Sequence, residues 1–146
     1  MIGGTVRTFT HEVLDLNEQR LNEVAKHVAQ GFDCQADVVF TRNYPPTINH
    51  EQETQFAIGV MQDLVGTDKV NVRIDPTMGA EDFAFTLQEK PGCYVFLGNG
   101  DGDHRSTGHG MGPCHLHNPS YDFNDALIPV GVNYWVALAQ KFLAKS

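Results

Sequence analysis

The sequence is poor in basic residues, in cysteine and in long hydrophobic runs, and each shortage excludes a class of protein. Its 146 residues include 10 Lys and Arg against 18 Asp and Glu, a formal net charge of −8. Nucleic acids and anionic lipids are bound through basic side chains, so neither is an expected partner. No apolar run reaches the roughly 18 residues that a membrane helix needs, so no membrane span is predicted.

The cysteines and the N-terminal stretch indicate a reducing compartment. Cys34, Cys93 and Cys114 are odd in number and widely spaced, which is not the pattern of a disulfide framework. The stretch MIGGTVRTFT has no charged region followed by an apolar core, so no secretion signal is predicted there. The expected location is therefore the cytoplasm.

Hydrophobic periodicity predicts a mixed α/β chain. Alternating or continuously apolar segments are predicted as strands at 3–10, 36–43, 70–75 and 93–100, the last of them covered on both faces. Apolar residues at helical spacing, or helix-start signals, predict helices at 17–32, 50–66, 79–92 and 124–146. Gly66 and Asn124 are expected to cap helices, Pro129 to lie in the first turns of the last helix, and Phe83 and Phe85 to lie in the core. The order is β-α-β up to about residue 50, then α-β-α-β-loop-α.

The glycine-rich loop that precedes the last helix holds the densest group of possible metal ligands. His109, Cys114, His115 and His117 fall within nine residues, and imidazole and thiolate are preferred zinc ligands. The sequence contains no C-x-x-C, no HExxH and no H-x-x-x-H on a predicted helix, so spacing alone does not define a site. A transition-metal site and a surface loop with one buried cysteine both remain open, and the spacing slightly favours the second.

Four further residues are candidates for binding a substrate. Glu81 and Asp82 open the third predicted helix, where they would bind a metal, position a substrate or compensate the helix dipole. Arg7 has the fork geometry that binds a carboxylate, and Asn49 is able to donate to an oxyanion. For each residue taken alone, a structural role is favoured over a functional one. Glu81 and Asp82 would compensate the helix dipole, Arg7 would be a solvated arginine, and Asn49 would be a turn residue.

Five segments together resemble the C-terminal part of one enzyme family. In chain order they are GGTVRTF, YPPTIN, MGAEDFAF, PGCYVFLGNG and LHNPSYDFND. They are similar to the M20 metallopeptidase family, and within it to the amidohydrolases that include hippurate hydrolase, N-acyl-amino-acid amidohydrolases and indole-acetyl-amino-acid hydrolases. The resemblance covers essentially the whole chain. Its specificity comes from GAEDF and HNPSYDFND in that order and at that distance.

The resemblance implies a fold of two parts. Residues 1–50 would be the second half, β-α-β, of an α+β, ferredoxin-like lid domain. Such lids often dimerise, so a homodimer through this part is expected. Residues 51–146 would be the C-terminal portion of a mixed α/β metallopeptidase catalytic domain.

The resemblance also implies an activity, the metal-dependent hydrolysis of hippurate-like N-acyl amino acids. Two divalent ions, of zinc, manganese, cobalt or nickel, polarise the amide carbonyl and activate a water whose proton passes to a glutamate. His117, and not His115, occupies the position of the metal-binding histidine. The residues expected near the substrate are Arg7, Asn49, Glu81 and Asp82. The glutamate and the other ligands are expected upstream of this chain, which would then be a C-terminal fragment that is inactive alone.

Two other classes of function remain open. A stand-alone metal-binding module would use the four loop side chains and would bind zinc tightly in a one-to-one complex. A non-catalytic dimerisation piece would associate through open strand edges without metal.

Overall fold

The structure of the chain is a computed structural model. It describes residues 1–100, 116–117 and 121–144. The regular structure of these residues is helical and consists of α1 (His11–Gln30), α2 (Glu51–Val65), α3 (Phe83–Glu89) and α4 (Ile128–Leu143), with 3₁₀ turns at Thr67–Lys69 and Asp125–Leu127. The chain divides into a first unit, Met1–Thr54 with Arg73–Tyr94, and a second unit, Gln55–Val72 with Val95–Ser146.

α1 begins where the sequence supplies a cap. Oγ1 of Thr10 accepts a hydrogen bond from the Val13 N–H at 3.3 Å, which satisfies one of the unpaired donors of the first turn. Glu12 follows in that turn, where a negative charge is favourable. The helix predicted over 17–32 is therefore confirmed, but it spans His11–Gln30, because Thr10 caps a first turn that lies before the predicted start.

α2 confirms the helix predicted over 50–66, together with its terminal glycine. Gly66 has a φ of +91°, and its N–H donates to the Gln62 carbonyl at 2.9 Å. A Cβ at this position would lie 2.7 Å from Oδ1 of Asp68. Glycine adopts positive φ without steric cost, so the helix ends where the sequence changes to glycine.

α3 and α4 confirm the helices predicted over 79–92 and 124–146 with narrower bounds. Oδ1 of Asn124 accepts from the Ala126 N–H at 3.2 Å and starts the 3₁₀ turn that leads into α4. Pro129 lies in the first turn of α4, where its missing N–H removes no helical hydrogen bond. Both capping glycine and capping asparagine are therefore where the sequence predicts them.

The four predicted strands are wrong for the part of the chain that the structure describes. Residues 3–10, 36–43, 70–75 and 93–100 form neither helix nor strand. Their apolar side chains are largely exposed, at 89 % for Val39 and 61 % for Phe96, so 93–100 is not covered on both faces. Alternation of apolar and polar residues predicts an extended backbone. A strand also needs a neighbouring strand to pair with, and the local sequence does not determine whether one is present. The described residues thus show only the helical part of the predicted α/β class.

The first unit has a small buried core on one face of α3. Ala84 and Leu87 are buried, and Phe83, one helical turn before Leu87, is half-buried with its ring centroid 5.8 Å from that of Tyr94. The expectation of a core position is wrong for Phe85, which is 47 % exposed. Position 85 falls outside the helical stripe formed by 83, 84 and 87, so its side chain points away from this core.

The second unit buries Ala57 and Val60 on one face of α2. On that helix the Phe56 ring meets the Phe142 ring of α4 edge to face, with centroids 6.3 Å apart. Lys141 of α4 also forms an ion pair with Asp63 of α2. An aromatic contact and an exposed ion pair therefore join α2 and α4.

α1 and α4 leave their apolar side chains uncovered. Neither helix contains a buried residue. The exposed apolar residues of α1 are Val13, Leu16, Leu21, Val24 and Val28, and those of α4 include Val132, Trp135, Val136 and Phe142. Contiguous exposed apolar faces are typical of surfaces that bind another polypeptide or a membrane.

The helical stretch Asp125–Leu143 is long and apolar enough to cross a membrane by length and composition. The sequence expectation concerns an uninterrupted apolar run, and Asn133, Gln140 and Lys141 interrupt this stretch, which passes on its average composition instead. A helix that covers the core of a water-soluble protein passes the same test, so a single helix of this kind is weak support for a span.

We predict opposite effects for alanine at two glycines of the α2 region. Gly66→Ala is expected to lower the free energy of unfolding by more than about 1 kcal/mol, because alanine is strained at positive φ. Gly59→Ala is the matched control, since a Cβ there meets nothing within 4 Å, and it is expected to raise stability by about 0.5–1 kcal/mol. Urea unfolding followed by circular dichroism measures both. Equal stability of Gly66→Ala and the unmodified chain would show that the positive φ is not required.

Candidate functional site

Tyr94 is held from two directions by residues that the sequence marks as candidates. The side-chain amide of Asn49 donates to the Tyr94 carbonyl and accepts from the Tyr94 N–H, each at 2.8 Å. The Tyr94 hydroxyl donates to Oε2 of Glu81 at 3.0 Å. The structure therefore brings Asn49 and Glu81 together through a residue that the sequence pattern does not single out. We call Asn49, His50, Glu81, Gly92 and Tyr94 the Tyr94 cluster.

His50 and Gly92 form a second reciprocal pair within the cluster. The His50 N–H donates to the Gly92 carbonyl at 3.0 Å, and the Gly92 N–H donates to Nδ1 of His50 at 3.2 Å. Because Nδ1 accepts, the neutral imidazole carries its proton on Nε2. The His50 carbonyl also accepts from the N–H and the hydroxyl of Thr54, at 2.9 and 2.7 Å, at the start of α2. Residues 49–50 are thus tied to 92–94 and to the first turn of α2.

Glycine at position 92 allows this close approach. A Cβ there would lie 3.0 Å from Cδ2 of Leu87 and 3.8 Å from Cζ of Phe83. Leu87 is buried, so it has little room to move aside. A larger residue at 92 would therefore disturb both the core of the first unit and the bonds to His50.

The carboxylate of Glu81 is held as an anion at the start of α3. Its Oε1 accepts from the Phe83 N–H at 3.3 Å, and its Oε2 accepts from the Tyr94 hydroxyl. The Phe83 N–H and then the Tyr94 hydroxyl hold the pKa of Glu81 below its ordinary value of 4.5. The same hydrogen bond, aided by partial burial, raises the pKa of Tyr94 above its ordinary value of 10.0.

Glu81 and Asp82, which the sequence treats as equivalent, have different surroundings. Glu81 contacts the first turn of α3, whereas Asp82 occupies the N-cap position without a side-chain capping bond and is exposed. The dipole-compensation interpretation therefore describes Glu81 better than Asp82. Arg7 is exposed in the extended N-terminal segment, and no hydrogen bond or ion pair of the described residues joins it to Asn49 or Glu81.

His117 is exposed and has a φ of +67°. For an L-residue this left-handed conformation costs about 1–2 kcal/mol and persists only where the surroundings hold it. His109, Cys114 and His115, the other candidates of the loop, lie outside the described residues.

A metal site is not complete within the part of the chain that the structure describes. No group of three or more His, Cys, Asp or Glu side chains there is placed to share an ion. His117 offers one imidazole, whereas a stable site in a protein has three or four ligands from the chain. The described residues by themselves therefore do not fit a bound metal. Cys34 and Cys93 form no disulfide with another described residue.

Asn99 and Asn124 form a reciprocal pair in the second unit. Nδ2 of Asn99 donates to the Asp122 carbonyl at 2.9 Å, and Oδ1 of Asn99 accepts from the Asn124 N–H at 2.9 Å. Nδ2 of Asn124 in turn donates to the Asn99 carbonyl at 3.2 Å. These bonds join residue 99 to residues 122 and 124. The sequence predicts only the capping role of Asn124 and gives Asn99 no role.

Most polar groups of the Tyr94 cluster are hydrogen-bonded to one another, and one imidazole nitrogen, Nε2 of His50, remains available to a ligand. The oxygens of Glu81 and the amide of Asn49 are engaged by Tyr94 and Phe83. Nε2 of His50 makes no hydrogen bond to another described residue, so it is able to donate to a ligand. Sequence patterns indicate no role for His50 or Tyr94, because the residues that they bind lie far from them along the chain.

Residues 3–141 match the peptidase family M20/M25/M40, and the chain belongs to this family. It is 30% identical to the hippurate hydrolase of Campylobacter jejuni over 95% of this chain and 33% of that protein. It is 30% identical to the IAA-amino acid hydrolase ILR1-like 4 of Arabidopsis thaliana over 97% of this chain and 32% of that protein. It is 35% identical to the N-acetyldiaminopimelate deacetylase of Lacticaseibacillus casei over 68% of this chain and 26% of that protein. No solved structure matches the chain significantly.

These similarities confirm the family that the sequence motifs indicate. The M20 family is consistent with an α/β fold, of which the described residues show the helices. The chain spans about a third of the length of the curated relatives named here.

We predict that Tyr94→Phe raises the pKa of Glu81 part of the way to 4.5, because the Phe83 N–H still holds the carboxylate. A lowered carboxyl pKa stabilises the fold above the unfolded-state value, and this stabilisation is lost as pH falls through the folded value. The variant should therefore be less stable than the unmodified chain at neutral pH, and the difference should shrink below pH 4.5.

A carbon-13 NMR titration of Glu81 measures this pKa directly. Tyr44→Phe is the control, because it removes the hydroxyl of a different, exposed tyrosine and retains the ring contact with Phe85. A Glu81 pKa that is the same in both variants would contradict the hydrogen bond from Tyr94.

Proposed function

We propose that the protein is a metal-dependent amidohydrolase that cleaves the amide bond of N-acyl amino acids. The supporting observation is membership of the M20 family, with relatives named hippurate hydrolase and IAA-amino acid hydrolase at about 30% identity. Because the chain spans about a third of those relatives, the activity is proposed for a whole protein that includes it. The isolated chain is proposed to be inactive, since its described residues hold no complete metal site.

Within this proposal His117 binds one of two divalent ions. Imidazole with carboxylate ligands suits zinc, manganese, cobalt or nickel, so the metal is left open among these four. The left-handed backbone of His117 supports a functional role, because such conformations in non-glycine residues concentrate at sites where geometry matters. When bound, the ions would supply Lewis-acid polarisation of the amide carbonyl.

The residues proposed to lie near the substrate divide into two kinds. Arg7 and Asp82 are exposed and are available to a ligand, and the Arg7 guanidinium suits the carboxylate of an amino acid. Asn49 and Glu81 are already engaged with Tyr94, so they are proposed to shape the wall of the site.

Residues 51–146 are proposed to be the end of the catalytic domain, and residues 1–50 half of a lid that forms a homodimer. The uncovered apolar face of α1 supports an interface in the lid part. Arg42 fixes the segment after α1 onto this helix through ion pairs with Asp15, at 2.6 Å, and with Glu18. A cytoplasmic location remains part of the proposal.

We predict that a chimera will hydrolyse N-acyl amino acids when this chain replaces the matched third of Campylobacter jejuni hippurate hydrolase. The assay uses hippurate, IAA-amino acids and N-acetyldiaminopimelate with each of the four metals, and the 146-residue chain alone serves as the inactive reference. His117→Ala in the chimera is expected to lower metal content and kcat/KM together, by at least about 100-fold. His27→Ala, at an exposed histidine of α1, is the matched control.

Two results would count against this proposal. Full metal content and unchanged turnover in His117→Ala would remove the ligand role of His117. Tight one-to-one zinc binding by the 146-residue chain alone, lost in Cys114→Ala, would instead identify a stand-alone metal-binding module.

A further inference from the structure

We propose that His50 and Gly92 form a pH-sensitive latch, which opens when the imidazole of His50 is protonated. The two residues are joined by two hydrogen bonds, one from each backbone N–H. The latch lies within the first unit, and its action does not depend on the proposed activity.

One of the two bonds exists only while the imidazole is neutral. The Gly92 N–H donates to Nδ1 of His50 at 3.2 Å, and the His50 N–H donates to the Gly92 carbonyl at 3.0 Å. A neutral imidazole has one nitrogen that accepts, whereas an imidazolium carries a proton on both nitrogens and only donates. Protonation of His50 therefore turns a ring N–H toward the Gly92 N–H, and the bond between them is lost. The bond to the Gly92 carbonyl does not involve the ring and is retained.

The charged form of His50 has no acidic partner that replaces the lost bond. Among the described residues, the hydrogen bonds and ion pairs join no carboxylate to this imidazole. The positive end of α2 disfavours an imidazolium directly before Glu51, and the negative charges in the first turn of that helix act in the opposite direction. The titratable groups on the elements bound to His50 are Glu51, Glu53, Glu81, Lys90, Cys93 and Tyr94.

The lost bond loosens the junction between residues 49–50 and 92–94. Gly92 lies two residues before Tyr94, whose backbone binds the Asn49 amide and whose hydroxyl binds Glu81. Imidazole is the side chain that changes charge between about pH 5 and 8. The junction is therefore closed by both bonds at neutral and basic pH and by one of them in acid. Asn49 and Glu81 are proposed to shape the wall of the site, so acid would loosen that wall, and this last step alone rests on the proposed function.

Two variants and one control separate the acceptor from the charge in the isotope-labelled 146-residue chain. His50→Asn offers Oδ1, an acceptor that does not titrate, in place of Nδ1. His50→Leu removes both the acceptor and the titrating group. His27→Asn, at an exposed histidine of α1, makes the same change away from the latch.

The measurement combines NMR of the imidazole nitrogens with amide hydrogen exchange from about pH 8 to about pH 5. Neutral His50 is expected to carry its proton on Nε2. As His50 becomes protonated, the protection of the Gly92 amide, corrected for the intrinsic pH dependence of exchange, is expected to fall about 2- to 10-fold with the same midpoint, as for the loss of one hydrogen bond. The Gly66 N–H, which donates to the Gln62 carbonyl in the second unit, is expected to stay protected.

The variants are expected to differ in how Gly92 responds to pH. In His50→Asn the Gly92 amide should stay protected across the range, in His50→Leu its protection should be low throughout, and His27→Asn should behave as the unmodified chain. The titration of the unmodified chain decides the question even where a variant fails to fold.

Three results would overturn the latch. The first is a Gly92 amide that stays equally protected while His50 becomes protonated. The second is a pH dependence that persists in His50→Asn. The third is loss of protection at Gly66 with the same midpoint, which would show unfolding of the whole chain. Hydrolysis by the chimera with Campylobacter jejuni hippurate hydrolase decides the proposed function separately, so failure of the latch and failure of that function give different results.

Discussion

The reciprocal hydrogen bonds between the Asn49 side chain and the Tyr94 backbone are the contact on which the order of the first unit depends. Two extended segments meet there, and an extended backbone needs partners for its N–H and carbonyl groups. The amide of Asn49 supplies one donor and one acceptor at 2.8 Å, as a neighbouring strand would. His50 and Gly92 repeat the arrangement beside it, and Glu81 ties the same tyrosine to the start of α3. Side-chain hydrogen bonds thus connect residues 49–50 with residues 92–94, where no strand pairing is present among the described residues.

Polar contacts have this importance because the described residues bury little apolar surface. Each residue that is fixed on folding costs about 1–2 kcal/mol of backbone entropy, which burial of apolar surface normally offsets. Among the described residues, the buried side chains are Ala84 and Leu87 in the first unit and Ala57 and Val60 in the second, while α1 and α4 bury none. The uncovered faces of α1 and α4 are where further burial is available. A partner surface that covers them would add the stabilisation that these small cores do not provide.

The sequence predicts the helices because their signals are local. Apolar spacing marks α1 and α2, Gly66 marks a helix end and Asn124 a helix start, and each acts through neighbours within four residues. Strand positions and the roles of His50, Tyr94 and Asn99 were not predictable in this way. The side-chain partners that define these roles lie 13 to 45 residues away. Alternation indicates which side chains share a face, but it does not indicate what covers that face. His117 was predicted as a metal ligand from the family motif, and no property of a single residue type would have indicated its left-handed backbone.

Four of the five segments that carry the family resemblance also bind one another within the units. Asn49 ends YPPTIN, Glu81 lies in MGAEDFAF, and both bind Tyr94 of PGCYVFLGNG. In the second unit, Asn99 of PGCYVFLGNG binds Asn124 of LHNPSYDFND. Asparagine suits these points because its short planar amide donates from one atom and accepts at another, whereas an ionised aspartate only accepts and leucine does neither. These four motifs therefore have a structural role, since each supplies one half of a hydrogen-bonded pair whose other half lies in a different motif.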